Sequence, residues 1–102
     1  MIKPRFRFSS LRRLLLDLGF KEHRLRWDQE FKDGPVKRTS IGFQHDESDT
    51  LIVLPGYYRS NSWVYPHHLI YVRITLDAKG LMEAEDFERL VAQATLQASA
   101  SS

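Results

Sequence analysis

The chain has 102 residues, 42% of them hydrophobic, with 15 Lys/Arg against 13 Asp/Glu and no cysteine. That length fits one domain with its own core, and the missing cysteine excludes disulfide and thiolate chemistry. No apolar run approaches the roughly 20 residues that span a membrane.

The formal net charge of +2 conceals a split. Residues 1–40 carry 11 Lys/Arg and 5 Asp/Glu, a net of +6, whereas residues 41–102 carry 4 and 8, a net of −4. A basic first half can attract phosphates, and an acidic second half can face a basic partner.

Met1 to Phe8 alternates charge and aromatic and holds no apolar core segment. No signal peptide is read there, and a cytoplasmic protein is expected. The segment reads as a basic arm or a short edge strand. Ser9 or Ser10 then offers an N-cap for a helix. Leu11, Leu14, Leu15 and Leu18 fall at i, i+3, i+4 and i+7, which is one helical face. Gly19 suits the left-handed residue that closes a helix, with Phe20 packing back on it.

From Lys21 to Lys32 the period is two: His23, Leu25, Trp27, Gln29 and Phe31 share one parity. Asp33-Gly34 predicts a hairpin turn, with Pro35 just after it. Val36 to His45 is the return strand. Asp46-Glu47-Ser48-Asp49 makes the next turn, and the apolar run Leu51 to Leu54 makes a more buried strand stopped by Pro55. Residues 55–63 form a loop rich in turn residues and aromatics.

Pro66 suits the first turn of a second helix. Leu69, Val72 and Leu76, with Ile70 and Tyr71 beside them, give that helix a wide apolar face, and Lys79-Gly80 ends it. Glu83, Glu85 and Asp86 place acid at the start of a third helix, where the dipole favours it. Phe87, Leu90, Val91 and Ala94 make its apolar stripe. Residues 98–102 are small and polar and are expected to fray as a disordered tail. The expected domain is therefore residues 1–97, with residues 1–8 as a basic arm. The order α-β-β-β-α-α predicts an α+β fold: a small three-stranded antiparallel sheet with helices packed on one face.

Several local words resemble the HicA-type toxins of bacterial toxin–antitoxin systems. They are Leu14-Leu15-Leu16-Asp17-Leu18-Gly19-Phe20, then Phe43-Gln44-His45, then Leu51-Ile52-Val53-Leu54-Pro55. Pro66, Leu69 and the segment Leu76-Asp77-Ala78-Lys79-Gly80-Leu81-Met82 complete them. The resemblance covers most of residues 10–92. It implies a fold similar to double-stranded-RNA-binding domains, cleavage of messenger RNA, and neutralisation by a cognate antitoxin. The family carries Gly-Ser-His at the start of the strand that here contains Phe43. Counting back from Phe43, Ser40 takes the histidine position, Thr39 the serine and Arg38 the glycine.

RNA self-cleavage needs a base for the 2′-hydroxyl proton, and imidazole titrates near neutrality where a serine hydroxyl does not. His45 is the candidate substitute. In a regular strand it faces away from Ser40, and a bulge at Gly42 would turn it back. Nucleic-acid contacts are expected from Arg12, Arg13, Lys21, Arg24 and Arg26, with Arg5 and Arg7 beside them. Arg59 is expected on phosphate, and Tyr57 and Tyr58 on bases by stacking. No cofactor and no metal are expected, because the adjacent His67 and His68 of a helix point about 100° apart. The alternative function is a non-catalytic interaction module, docking a protein through the acidic half and the Tyr57 to Tyr65 loop.

Overall fold

The computed structural model describes residues 3–100. Its elements are α1 (Phe8–Asp17), β1 (Lys21–Phe31), β2 (Gly34–His45), β3 (Thr50–Pro55), α2 (Pro66–Ala78) and α3 (Ala84–Ala100). The sheet is antiparallel, in the order β1-β2-β3. The α+β fold and the order of its elements are those expected.

The pairing is continuous. Lys21 to Phe31 pair Gln44 to Gly34, and Ser40 to His45 pair Pro55 to Thr50, without a skipped residue. Partners directly opposite share a face. One face therefore carries Ile41, Phe43, Ile52 and Leu54, all buried in a single core with Leu11 and Leu15 of α1 and with Leu69, Val72 and Leu76 of α2. The helices cover this face. The other face carries Leu25, Trp27, Phe31, Val36, Leu51 and Val53, and all six are exposed. The distal half of the β1–β2 hairpin is exposed on both faces.

The leucine face of α1 is only partly enclosed. Leu11 and Leu15 are wholly buried, whereas Leu14 and Leu18 flank the core. The helix starts earlier than Ser9 or Ser10 would set it. Arg7 is the N-cap and no side chain caps it. Instead the Phe8 N–H donates to the Ser62 carbonyl at 2.8 Å and the Ser9 N–H to the Ser60 carbonyl at 2.9 Å. Loop carbonyls thus satisfy N–H groups that a helix start leaves open. At the other end Gly19 takes φ 99°, a left-handed conformation that a Cβ disfavours.

Residues 6–8 do not form a free arm. Phe6 and Phe8 are core residues, the Val64 N–H donates to the Phe6 carbonyl at 2.8 Å, and Arg7 bridges to Trp63. In α3, Phe87 is buried but Leu90 is exposed, and Thr95 takes an inner place instead. Its hydroxyl donates to the Val91 carbonyl at 2.7 Å and accepts the Arg5 N–H at 2.9 Å. The helix also runs through Ala100, past the point where fraying was expected. Residues 101 and 102 of that expected tail lie outside the described residues.

Leu15→Ala removes a side chain with no exposed surface and should lower unfolding free energy by about 2–5 kcal/mol in chemical denaturation. A loss under about 0.5 kcal/mol, the usual surface range, would contradict this packing.

Candidate nucleic-acid interface

The irregular segment between β3 and α2 builds the most chemically varied surface. Pro55 ends β3, yet the chain stays against β2 for one more residue, where the Gly56 N–H donates to the Thr39 carbonyl at 3.0 Å. A Cβ at Gly56 would lie 2.7 Å from that carbonyl oxygen. Only glycine permits so close an approach. The next ring, Tyr57, is 58% exposed and stands between two depressions.

On one side is an open groove lined by Arg12 of α1, Glu22 and Arg24 of β1, and Tyr57, Tyr58 and Arg59 of the loop. Arg12 Nε donates to both Glu22 carboxylate oxygens, at 2.8 and 3.1 Å. On the other side is a cleft of about 610 Å³. Lys37, Arg38, Thr39 and Ser40 of β2 line it together with His68 of α2 and, at the shared edge, Tyr57, while the Arg38 guanidinium itself lies on the outer face, donating to Gln29 at 3.1 Å and standing over the Phe31 ring. The two depressions hold Arg12, Arg24, Arg59, Lys37 and Arg38 against the single carboxylate of Glu22. A surface of that charge attracts polyanions.

Tyr58 organises the cleft from below. It is 4% exposed, and its ring stacks on Phe8 with centroids 5.2 Å apart. Its hydroxyl accepts the Tyr65 backbone N–H at 2.9 Å and lies 2.6 Å from His68 Nδ1. Two proton arrangements satisfy that last contact. Either the phenol donates to Nδ1, or Nδ1–H donates to the phenol oxygen's second lone pair. Among the described residues Nε2 has no hydrogen-bond partner, and no buried side-chain nitrogen or oxygen is left unpaired. Nε2 is therefore open to solvent. Burial, and to a lesser degree the neighbouring His67, pushes the His68 pKa below its ordinary 6.5. Burial raises the Tyr58 phenol above 10.0, against the Tyr65 N–H, which lowers it, and small upward contributions from Tyr57 and Tyr65.

The expected site residues separate in space. His45 is not a cleft residue. It is 8% exposed on the core face, its ring 5.1 Å from that of Phe20. Its Nδ1 accepts the Ser48 N–H at 3.3 Å and lies 2.8 Å from Ser48 Oγ, which is 2.6 Å from Thr50 Oγ1. That network closes the β2–β3 turn. The unbroken register at Gly42 removes the bulge that would have turned His45 towards Ser40. Tyr58 is not a stacking platform, because both of its neighbours and its burial occupy it. Arg13 stands on the exposed side of α1 outside the groove. Lys21 pairs with Asp46 at 3.4 Å. Arg26 lies in a neighbouring depression with Lys37 and Arg38. Arg5 and Arg7 sit over the Trp63 ring, at 5.9 and 4.2 Å from its centroid. Arg12, Arg24, Arg59 and Tyr57 do come together, and Ser40 meets the second depression.

His68, which reads as helix-start surface in the sequence, is the residue that periodicity and motif spacing miss. Nothing local marks it, because its role comes from a tyrosine ten residues earlier and a strand across the cleft. Among the described residues no three His, Cys, Asp or Glu side chains gather where they could hold a metal ion. Likewise no described helix is long and apolar enough to cross a membrane. Comparison with protein-family models, curated proteins and solved structures gives no match.

A histidine whose folded pKa lies below its unfolded value binds fewer protons folded than unfolded within that window. His68 therefore contributes stability fully present above about pH 6.5 and lost as pH falls through its lowered pKa. NMR titration of the His68 ring should give a midpoint below 6.5, and His68→Gln should flatten part of the acid-side decline in stability. A midpoint at or above 6.5 would contradict the burial described.

Proposed function

We propose that the protein binds RNA through the phosphate backbone, as a cytoplasmic, HicA-like member or descendant of a toxin–antitoxin pair. One observation carries this reading. Five cations from α1, both long strands and the loop line two adjoining depressions with one carboxylate among them. Cations spread over separate elements can meet successive phosphates. The ridge ring, Tyr57, is free to stack on a base. The element order and the helix-covered sheet are compatible with the double-stranded-RNA-binding-domain likeness that the local words imply.

A second reading, a protein-docking module such as an antitoxin's target, is favoured by a different feature. The outer sheet face exposes Leu25, Trp27, Phe31, Val36, Leu51 and Val53, more contiguous apolar surface than the acidic half expected for that role. Under this reading, Leu51→Ser should abolish co-purification with a co-expressed neighbouring-gene product.

The RNA reading predicts a steep loss of affinity with salt. Arg24→Ala and Arg59→Ala should each weaken binding for all sequences alike and reduce the slope of log K against log salt by about one. Arg89→Ala, on α3 and paired with Asp86, should change neither. An unchanged slope in both groove variants would overturn the reading.

A further inference from the structure

The long outer edge of β1 is the part of the sheet left without a neighbour. β1 pairs only with β2, and its 11 residues hold no proline and no skipped position. In an antiparallel sheet the backbone groups of successive residues turn alternately to one side and the other. The Gly56 N–H meets the Thr39 carbonyl, so the odd residues of β2 turn towards β3 and the even ones towards β1. The partners of those even residues are the odd residues of β1. Glu22, Arg24, Arg26, Asp28 and Glu30 therefore turn their N–H and carbonyl groups outwards, along an edge ready to pair with another strand.

The side chains on this edge select the strand. Arg24, Arg26, Asp28 and Glu30 are all exposed. Among the described residues none of the four makes an ion pair or a side-chain hydrogen bond, although Lys37 of β2 lies opposite Asp28. Their signs reverse about Trp27. Arg26 precedes it and Asp28 follows; Arg24 and Glu30 lie three residues to either side, and Glu22 and Lys32 five. We propose that the occupant of this edge is a second copy of the chain, its β1 antiparallel to the first across a twofold axis at Trp27. Arg26 then faces Asp28 of the second copy, Arg24 faces its Glu30, and Glu22 faces its Lys32. Every one of these pairs joins opposite charges, and the symmetry makes each of them twice. Neighbouring registers lose this. Centring on Arg26 sets Arg26 against itself and Glu22 against Glu30, and centring on Asp28 sets Asp28 against itself and Arg24 against Lys32. Charge on an edge strand ordinarily turns other chains away. The order of these charges admits the same chain in one register.

The backbone agrees with the charges. In this register the charged pairs are those whose N–H and carbonyl groups meet, and Trp27 meets Trp27 of the second copy where side chains approach most closely. Both rings lie on the outer face, where an aromatic cross-strand pair is favourable. The helices of each copy cover Ile41 and Phe43, opposite Arg24 and Glu22, while the distal half of the hairpin is exposed on both faces. The two helical layers therefore sit over opposite ends of the joint, on one continuous antiparallel sheet. Exposed ion pairs add little strength. They fix partner and register, and the backbone bonds with Trp27 supply the attraction.

The test is the oligomeric state of the full chain, read by sedimentation equilibrium. The unmodified chain should dimerise. Asp28→Arg with Glu30→Arg sets like charges at four cross-strand positions and should raise the dimer dissociation constant at least about tenfold. Arg24→Glu with Arg26→Glu should do the same. An equimolar mixture of the two variants restores every opposite pair and should form a heterodimer, and that recovery shows both variants to be folded. Register is read separately by disulfide cross-linking, since the chain has no cysteine of its own. Oxidised Trp27→Cys should cross-link to itself, as should a mixture of Leu25→Cys with Gln29→Cys, whereas neither of these two should do so alone. A chain that stays monomeric up to about 1 mM would overturn the proposal and leave the edge to a strand of another protein. A dimer indifferent to both charge variants, or variants that stay monomeric when mixed, would overturn it as well. RNA binding is a separate measurement, and neither outcome depends on the other.

Discussion

The stack of Tyr58 on Phe8 is the contact on which the remaining functional surface depends. The two rings lie nearly parallel, 4° apart in plane. Phe8 opens α1, Tyr58 belongs to the loop, and the same phenol holds His68 at the start of α2. One aromatic pair therefore fixes the relative placement of a helix, an irregular loop and an imidazole. The segment between β3 and α2 has little regular structure of its own. It is ordered because backbone bonds from Phe8, Ser9 and Val64 zip it to the N-terminal segment. The arrangement also explains why a polar hydroxyl is tolerated in the core, since both of its partners are present and a buried polar group without partners is costly.

The sheet is built unevenly. Where β2 lies between two strands, alternate residues are sealed under the helices. Where the hairpin outruns β3, both faces meet solvent. Charged and apolar residues nevertheless keep to opposite faces along β1, with Arg24, Arg26, Asp28 and Glu30 on one side and Leu25, Trp27 and Phe31 on the other. Charges along an exposed edge strand discourage pairing with other chains. At the far edge the Tyr71 hydroxyl accepts the Val53 N–H at 3.1 Å, so β3 is partly covered by α2.

What the sequence made legible was whatever local chemistry decides. The leucine spacing of α1, the Asp33-Gly34 and Asp46 to Asp49 turns, and Pro66 at the start of α2 each specify an element by themselves. The first turn of α1 was not legible, because its N–H groups bond to carbonyls more than fifty residues away. Leu90, expected in the apolar stripe, is exposed and Thr95 is buried for a related reason, since Arg5 supplies the hydroxyl's partner from 90 residues away. At the site, arginines could be named but not grouped. Arg12, Arg24 and Arg59 share a groove, while Arg13, one residue from Arg12, does not. His45 had the right strand and the wrong face, and only an unbroken register decides that. His68 had no local signature at all.

The bond between Arg5 and Thr95, 90 residues apart in sequence, has a consequence for biosynthesis. The N-terminal segment finds part of its enclosure, the Phe87 ring 6.4 Å from that of Phe6, only in the last helix of the fold. During translation residues 5–8 must wait for that helix. At about 5–20 residues per second the wait lasts on the order of 5–20 seconds, during which Phe6 and Phe8 lack their final neighbours. Contacts of such sequence separation also slow the closing step. The β1–β2 hairpin, whose outer face carries Leu25, Trp27, Phe31 and Val36, is likewise synthesised before α2 and α3, which complete the core.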